Sequence, residues 1–156
     1  VECSAYIAAL AACIPNSNNR DEAVEQALEF IDKDSEATEA VKLAQDNKSK
    51  DLGPILKKYE GMSPVHSLNN LAIVVWSFLS FQNSFDEAIG EAVSAGWDTD
   101  CNGATVGGLV GLDLGEIPEK WTKPWQGRVS TAISGLGELK LEDLVERTSS
   151  LVSKFS

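Results

Sequence analysis

Between Leu71 and Phe81 the chain is apolar on nearly every side, with Leu71-Ala72-Ile73-Val74-Val75-Trp76 as its longest unbroken apolar run. A helix lying on a protein surface keeps one polar face. One that is apolar all round has to be enclosed by other elements. The run falls far short of the roughly 18 residues that a membrane span needs, so the enclosure has to be protein. The rest of the chain must therefore supply helices that wrap this one.

The flanking sequence does so. Val1 to Ile14 is rich in Ala and small residues and reads as a second central helix, stopped by Pro15. The loop Asn16-Ser17-Asn18-Asn19 offers N-caps for a helix over about Asp21 to Ile31, with Ala23, Val24, Ala27, Leu28 and Ile31 as its stripe. Ser35 caps the next helix, where Ala37, Ala40, Val41 and Ala44 face inward, and Leu52 to Tyr59 forms a short one that tolerates Pro54 in its first turn. Ser84 and Glu87 make a capping box before Phe85, Ala88, Ile89, Ala92 and Val93, and Gly96 is placed as the stop. A Gly-rich helix follows over about Asn102 to Leu112. After a turn-rich stretch with Pro118, Trp121, Pro124 and Trp125, the chain closes on an amphipathic helix with Leu141, Leu144, Val145, Thr148, Leu151 and Val152 inward. No strand-like alternation and no internal repeat is visible, and the expected fold is all-α in one domain over 1–156.

Charge excludes one class of partner. The formal net charge is −11, whereas a face that neutralises phosphates needs clustered Lys and Arg. Neither a nucleic-acid face nor a membrane partner is expected. Cys3, Cys13 and Cys101 are an odd set without framework spacing and read as reduced thiols of a cytoplasmic protein, the first two as small core residues. The chain opens on Val1 and its one methionine is Met62, so it is expected to be a piece of a longer protein.

Gly96-Trp97-Asp98-Thr99-Asp100-Cys101-Asn102-Gly103 carries the chemistry. Its carboxylates, on Asp98 and Asp100, stand between a helix stop and a helix start, where a turn can aim both at one hard cation. The alternative is structural: Asp100 caps the following helix and Asp98 interacts with its dipole. A third reading takes Asp98-x-Asp100-x-Asn102-Gly103 as the first half of a calcium loop, but the closing position, where a bidentate Glu belongs, is Leu109. Gly103, Gly107 and Gly111 then form a stripe almost without side chains, and each glycine costs about 1 kcal/mol of helix propensity. Close approach of another helix, expected to be Leu71 to Phe81, would explain them.

Ala95 to Gly107, followed by Gly115-Glu116-Ile117-Pro118-Glu119-Lys120-Trp121 and preceded by His66-Ser67-Leu68-Asn69-Asn70-Leu71-Ala72-Ile73-Val74, resembles the C-terminal signature of the ADP-ribosylglycohydrolase family. That family includes dinitrogenase reductase-activating glycohydrolase and a non-enzymatic eye-lens crystallin. The resemblance implies an all-α orthogonal helical bundle, seen here as its C-terminal part, with a two-magnesium site in which Mn²⁺ can substitute. Asp98 would ligate one ion and Asp100 both, or lie between them. The family often has a ligating Thr where this chain has Cys101. A thiol is a poor Mg²⁺ ligand, and Cys101 reads instead as a small buried residue at a helix start.

The resemblance also implies the reaction: hydrolysis of the glycosidic bond at the anomeric carbon of ADP-ribose in an ADP-ribosylated protein or a related conjugate. Asn69, Asn70, His66 and Trp97 are candidate substrate contacts, each with a structural alternative as a cap, a loop residue or a core residue. The family's Thr-Asp-Asp-Thr run and N-terminal acidic residue, which supply the other ligands and the catalytic groups, have no match in this sequence. They are expected in an N-terminal half of the same domain, roughly doubling the length. A non-enzymatic, crystallin-like member is the alternative.

Overall fold

The computed structural model describes residues 1–48 and 51–155, without the side chains of 153 and 155. Among them are nine α-helices: α1 Glu2–Cys13, α2 Arg20–Leu28, α3 Glu36–Asp46, α4 Gly53–Lys58, α5 Ser67–Ser80, α6 Phe85–Ser94, α7 Thr99–Leu114, α8 Glu119–Thr122 and α9 Leu141–Phe155. The fold is all-α, as the periodicity predicts. It divides into two compact units, Val1–Glu116 and Ile117–Ser156.

In the first unit α5 is the enclosed element. Every residue from Leu71 to Leu79 is buried, as are Leu68 and Asn69. Its few polar groups find partners on the surrounding helices: Ser77 Oγ donates to the Ala88 carbonyl at 2.6 Å and Trp76 Nε1 to the Asn47 carbonyl at 3.1 Å. The helix starts come from local chemistry. Asn19, Ser35 and Ser84 each accept a backbone N–H three residues on, from Glu22, Thr38 and Glu87. Ala37, Ala40, Val41 and Ala44 of α3 face inward as expected.

Two expectations are corrected here, and a third feature was not foreseen. First, α1 is not a central helix: Tyr6, Leu10 and Cys13 are buried, while Ala5, Ala8 and Ala12 are exposed. Small residues permit burial without requiring it. Tyr6 ties this side to α2 through a 3.3 Å hydrogen bond to the Val24 carbonyl. Second, the glycine stripe of α7 faces α6. A Cβ on Gly103 would meet Val93 Cγ2 at 3.0 Å, and one on Gly107 would meet Ile89 Cδ1 at 3.3 Å. Third, Arg20, unremarked in the sequence, is only 3% exposed. Its Nε donates to Asp113 at 2.8 Å, its Nη1 to the carbonyls of Phe78 and Phe81, and its guanidinium lies 4.7 Å from the centre of the Phe78 ring. It clamps the start of α2 to the ends of α5 and α7.

The second unit adds a feature the sequence did not announce. Strands β1 Arg128–Ser130 and β2 Glu138–Lys140 pair antiparallel, with Val129 opposite Leu139 and an ion pair between Arg128 and Glu138. Three residues per strand are too few to display an alternation. On α9 the expected inward set is not enclosed: Leu141, Val145, Thr148, Leu151 and Val152 are exposed and Leu144 is half-buried. No helix among the described residues is long and apolar enough to cross a membrane.

Candidate functional site

The two aspartates enter the fold through a left-handed turn. Helix α6 ends at Ser94, and Gly96 takes φ +87°, where a Cβ is unwelcome. Trp97 follows at φ +58°, a conformation rare for a bulky residue. Its ring is partly buried and meets Tyr59 edge-on at 6.5 Å, so the indole contributes to the core. Two successive left-handed residues reverse the chain, and α7 begins immediately.

Asp98 occupies the N-cap position of α7, yet its side chain makes no capping hydrogen bond. Asp100 sits one residue inside the helix and is exposed. One ligand atom from each of Asp98, Asp100 and Cys101 lies within 4.8 Å of the others. The Asp98 carboxyl, within hydrogen-bonding reach, is the main influence holding Asp100 below the ordinary carboxylate range. The backbone N–H groups of Asp100 and Cys101 at the helix start add to it. The Cys101 thiol is pushed up, first by its hydrogen bond to Asp98 and then by that residue's negative charge. It is exposed rather than buried, which corrects the sequence reading.

From Thr99 onward the backbone is helical through Leu114. The calcium-loop reading therefore fails. Asn102, which would be its third ligand, is 2% exposed and bonded to Asn70, and Leu109 is a buried helical residue.

The candidate substrate contacts divide. Asn69 is fully buried, its amide donating to the Ser63 carbonyl at 3.1 Å. Asn70 reaches the site itself: its Oδ1 accepts from Asp98 N at 3.3 Å and from Asn102 Nδ2 at 2.8 Å. His66 is the N-cap of α5, its Nδ1 accepting from Leu68 N at 3.3 Å. Periodicity could not find the Asn70–Asp98 contact, because it joins residues 28 apart.

An open groove of about 560 Å³ runs beside the cluster between α1, α5 and α7. Asn70, Cys101, Asn102 and Thr105 line it on the site's side, Ile7, Leu71 and Val74 on its apolar side. A family model described as ADP-ribosylglycohydrolase matches residues 1–153. No curated protein and no solved structure matches the chain.

Proposed function

Because this chain belongs to the ADP-ribosylglycohydrolase family, we propose that Asp98 and Asp100 form part of a divalent-cation site in a hydrolase acting on the glycosidic bond of ADP-ribose. Its substrate would be an ADP-ribosylated protein or a related conjugate. Membership supports a hydrolase of glycohydrolase type at the level of the family.

The observation that carries the reading is the convergence of both carboxylates at a helix start where Asp98, the N-cap residue, makes no capping hydrogen bond. Two hard oxygen donors suit Mg²⁺ or Mn²⁺. Asp98 and Asp100 would hold the ion. Cys101, within reach but soft, is the weaker donor for Mg²⁺. When bound, such an ion would orient the ribose hydroxyls and stabilise the charge that develops as the bond breaks. What this chain's residues do is fix the carboxylates at the rigid end of α7 and flank them with the groove. The Thr-Asp-Asp-Thr run is absent from 1–156, so the remaining ligands and the acid–base group are proposed to come from an N-terminal half of the same domain.

The test is titration with Mn²⁺ of the wild type and of Asp100→Ala, together with hydrolysis of an ADP-ribosylated substrate by the longer protein. Binding and turnover that vanish in the variant, with helical signal retained, support the reading. Turnover that survives both chelation and the substitution would falsify it.

A further inference from the structure

We infer that Asn70 is a positioning residue for the Asp98–Asp100 pair, acting on the backbone of Asp98 rather than on substrate; this rests on the cation reading above. Its amide is engaged on both sides. Nδ2 donates to the carbonyls of Pro64 and His66, each at 2.8 Å, which fixes it to the segment leading into α5. Oδ1 spans to the other element, accepting from Asp98 N at 3.3 Å and from Asn102 Nδ2 at 2.8 Å. Asn102 N in turn donates to the Asp98 carbonyl at 2.9 Å. Both polar groups of the Asp98 main chain are thereby held, one from α5 and one from within α7.

The turn needs such a hold. Trp97 sits at φ +58° and the Asp98 side chain makes no cap bond. The anchor itself is rigid, because α5 is buried along its length and the buried Asn69 accepts from Asn70 N at 2.9 Å. Only an amide offers an acceptor and two donors in one plane, so neither a hydroxyl nor a carboxylate reproduces the bracket. A substrate that took the Asn70 oxygen would release Asp98.

The experiment compares wild type, Asn70→Ala and Asn102→Ala in the purified protein. It uses Mn²⁺ as the probe followed by electron paramagnetic resonance, the backbone amide exchange of Asp98 by NMR without metal, and circular dichroism for the fold. Residues that orient a ligand typically change metal affinity 10–100-fold, so Asn70→Ala is expected to weaken Mn²⁺ binding about tenfold or more and to accelerate Asp98 exchange. Asn102→Ala keeps the acceptor for Asp98 N and is expected to lose only about threefold. Unchanged affinity in a folded Asn70→Ala overturns the proposal. Should that variant not fold, Asn102→Ala decides: weaker binding supports the bracket, and unchanged binding overturns it. If the wild type binds no Mn²⁺, the cation reading fails by itself. Asp98 exchange then judges the bracket alone, faster exchange in either variant supporting it and unchanged exchange in both rejecting it.

Discussion

The guanidinium of Arg20 lies 2.8 Å from the carboxylate of Asp113, across 93 residues of sequence. The Arg20 side chain is almost wholly buried, whereas that of Asp113 is 26% exposed. A buried charge that loses its partner remains desolvated, which typically costs 3–5 kcal/mol. Partial exposure of Asp113 and the two carbonyls that still accept from Arg20 reduce this. Asp113→Ala is expected to lose about 2–3 kcal/mol in urea unfolding. A loss below about 0.5 kcal/mol would show that the carbonyls of Phe78 and Phe81 suffice to hold the clamp.

The glycines of α7 should respond in opposite directions. Alanine gains about 1 kcal/mol of helix propensity over glycine wherever there is room. Gly108 has no atom within 4 Å of its would-be Cβ, so Gly108→Ala should stabilise by about 0.5–1 kcal/mol. At Gly103 the new methyl meets Val93 Cγ2 at 3.0 Å, and a β-branched residue in a helix has little rotamer freedom. Gly103→Ala should therefore lose about 1 kcal/mol net. At Gly107 the neighbour is the terminal methyl of Ile89, which can yield, so Gly107→Ala should be near neutral. Denaturation midpoints of the three variants give the order.

Capping and ligation can be told apart by comparing Ser84 with Asp98. Ser84 bonds Glu87 N at 3.1 Å, and Ser84→Ala should lose about 1 kcal/mol. Asp98 makes no such bond, and its attraction to the helix dipole is opposed by Asp100. Asp98→Ala should change stability by less than about 0.5 kcal/mol while removing Mn²⁺ binding. A stability loss as large as that of Ser84→Ala, with Mn²⁺ binding intact, would return Asp98 to a structural role.

Alkaline pH should unfold the protein through its tyrosines. Burial is the main cause that pushes Tyr59 up to about 12, with Glu39, Cys3 and Glu36 adding to it, and burial pushes Tyr6 up further. In the unfolded chain both ionise near pH 10, so above that value the unfolded state binds fewer protons than the folded one. Stability is therefore fully present below pH 10 and falls as pH rises from there, the Tyr59 part through about 12. Tyr59→Phe should flatten that part of the decline, read from denaturant midpoints across the pH series. The phenolate absorbance of the wild type should rise later than that of the unfolded chain.

The local level of this structure is legible in the sequence. Caps at Asn19, Ser35 and Ser84, the stop at Gly96 and the all-round apolar run of α5 are decided within a few residues of each feature. So is the adjacency of Asp98 and Asp100, because two residues at a helix start cannot be far apart. Which faces meet was not legible. The glycine stripe fits any close neighbour, and only the packed helices select α6 rather than α5. The bond from Asn70 to Asp98 and the clamp from Arg20 to Asp113 join distant positions whose identities carry no periodic signal. Hydrogen bonding along the backbone and hydrophobic periodicity are properties of neighbours in the chain, so sequence determined them. The choice of partner depends on shape and burial once helices are assembled, and the tertiary structure alone decided it.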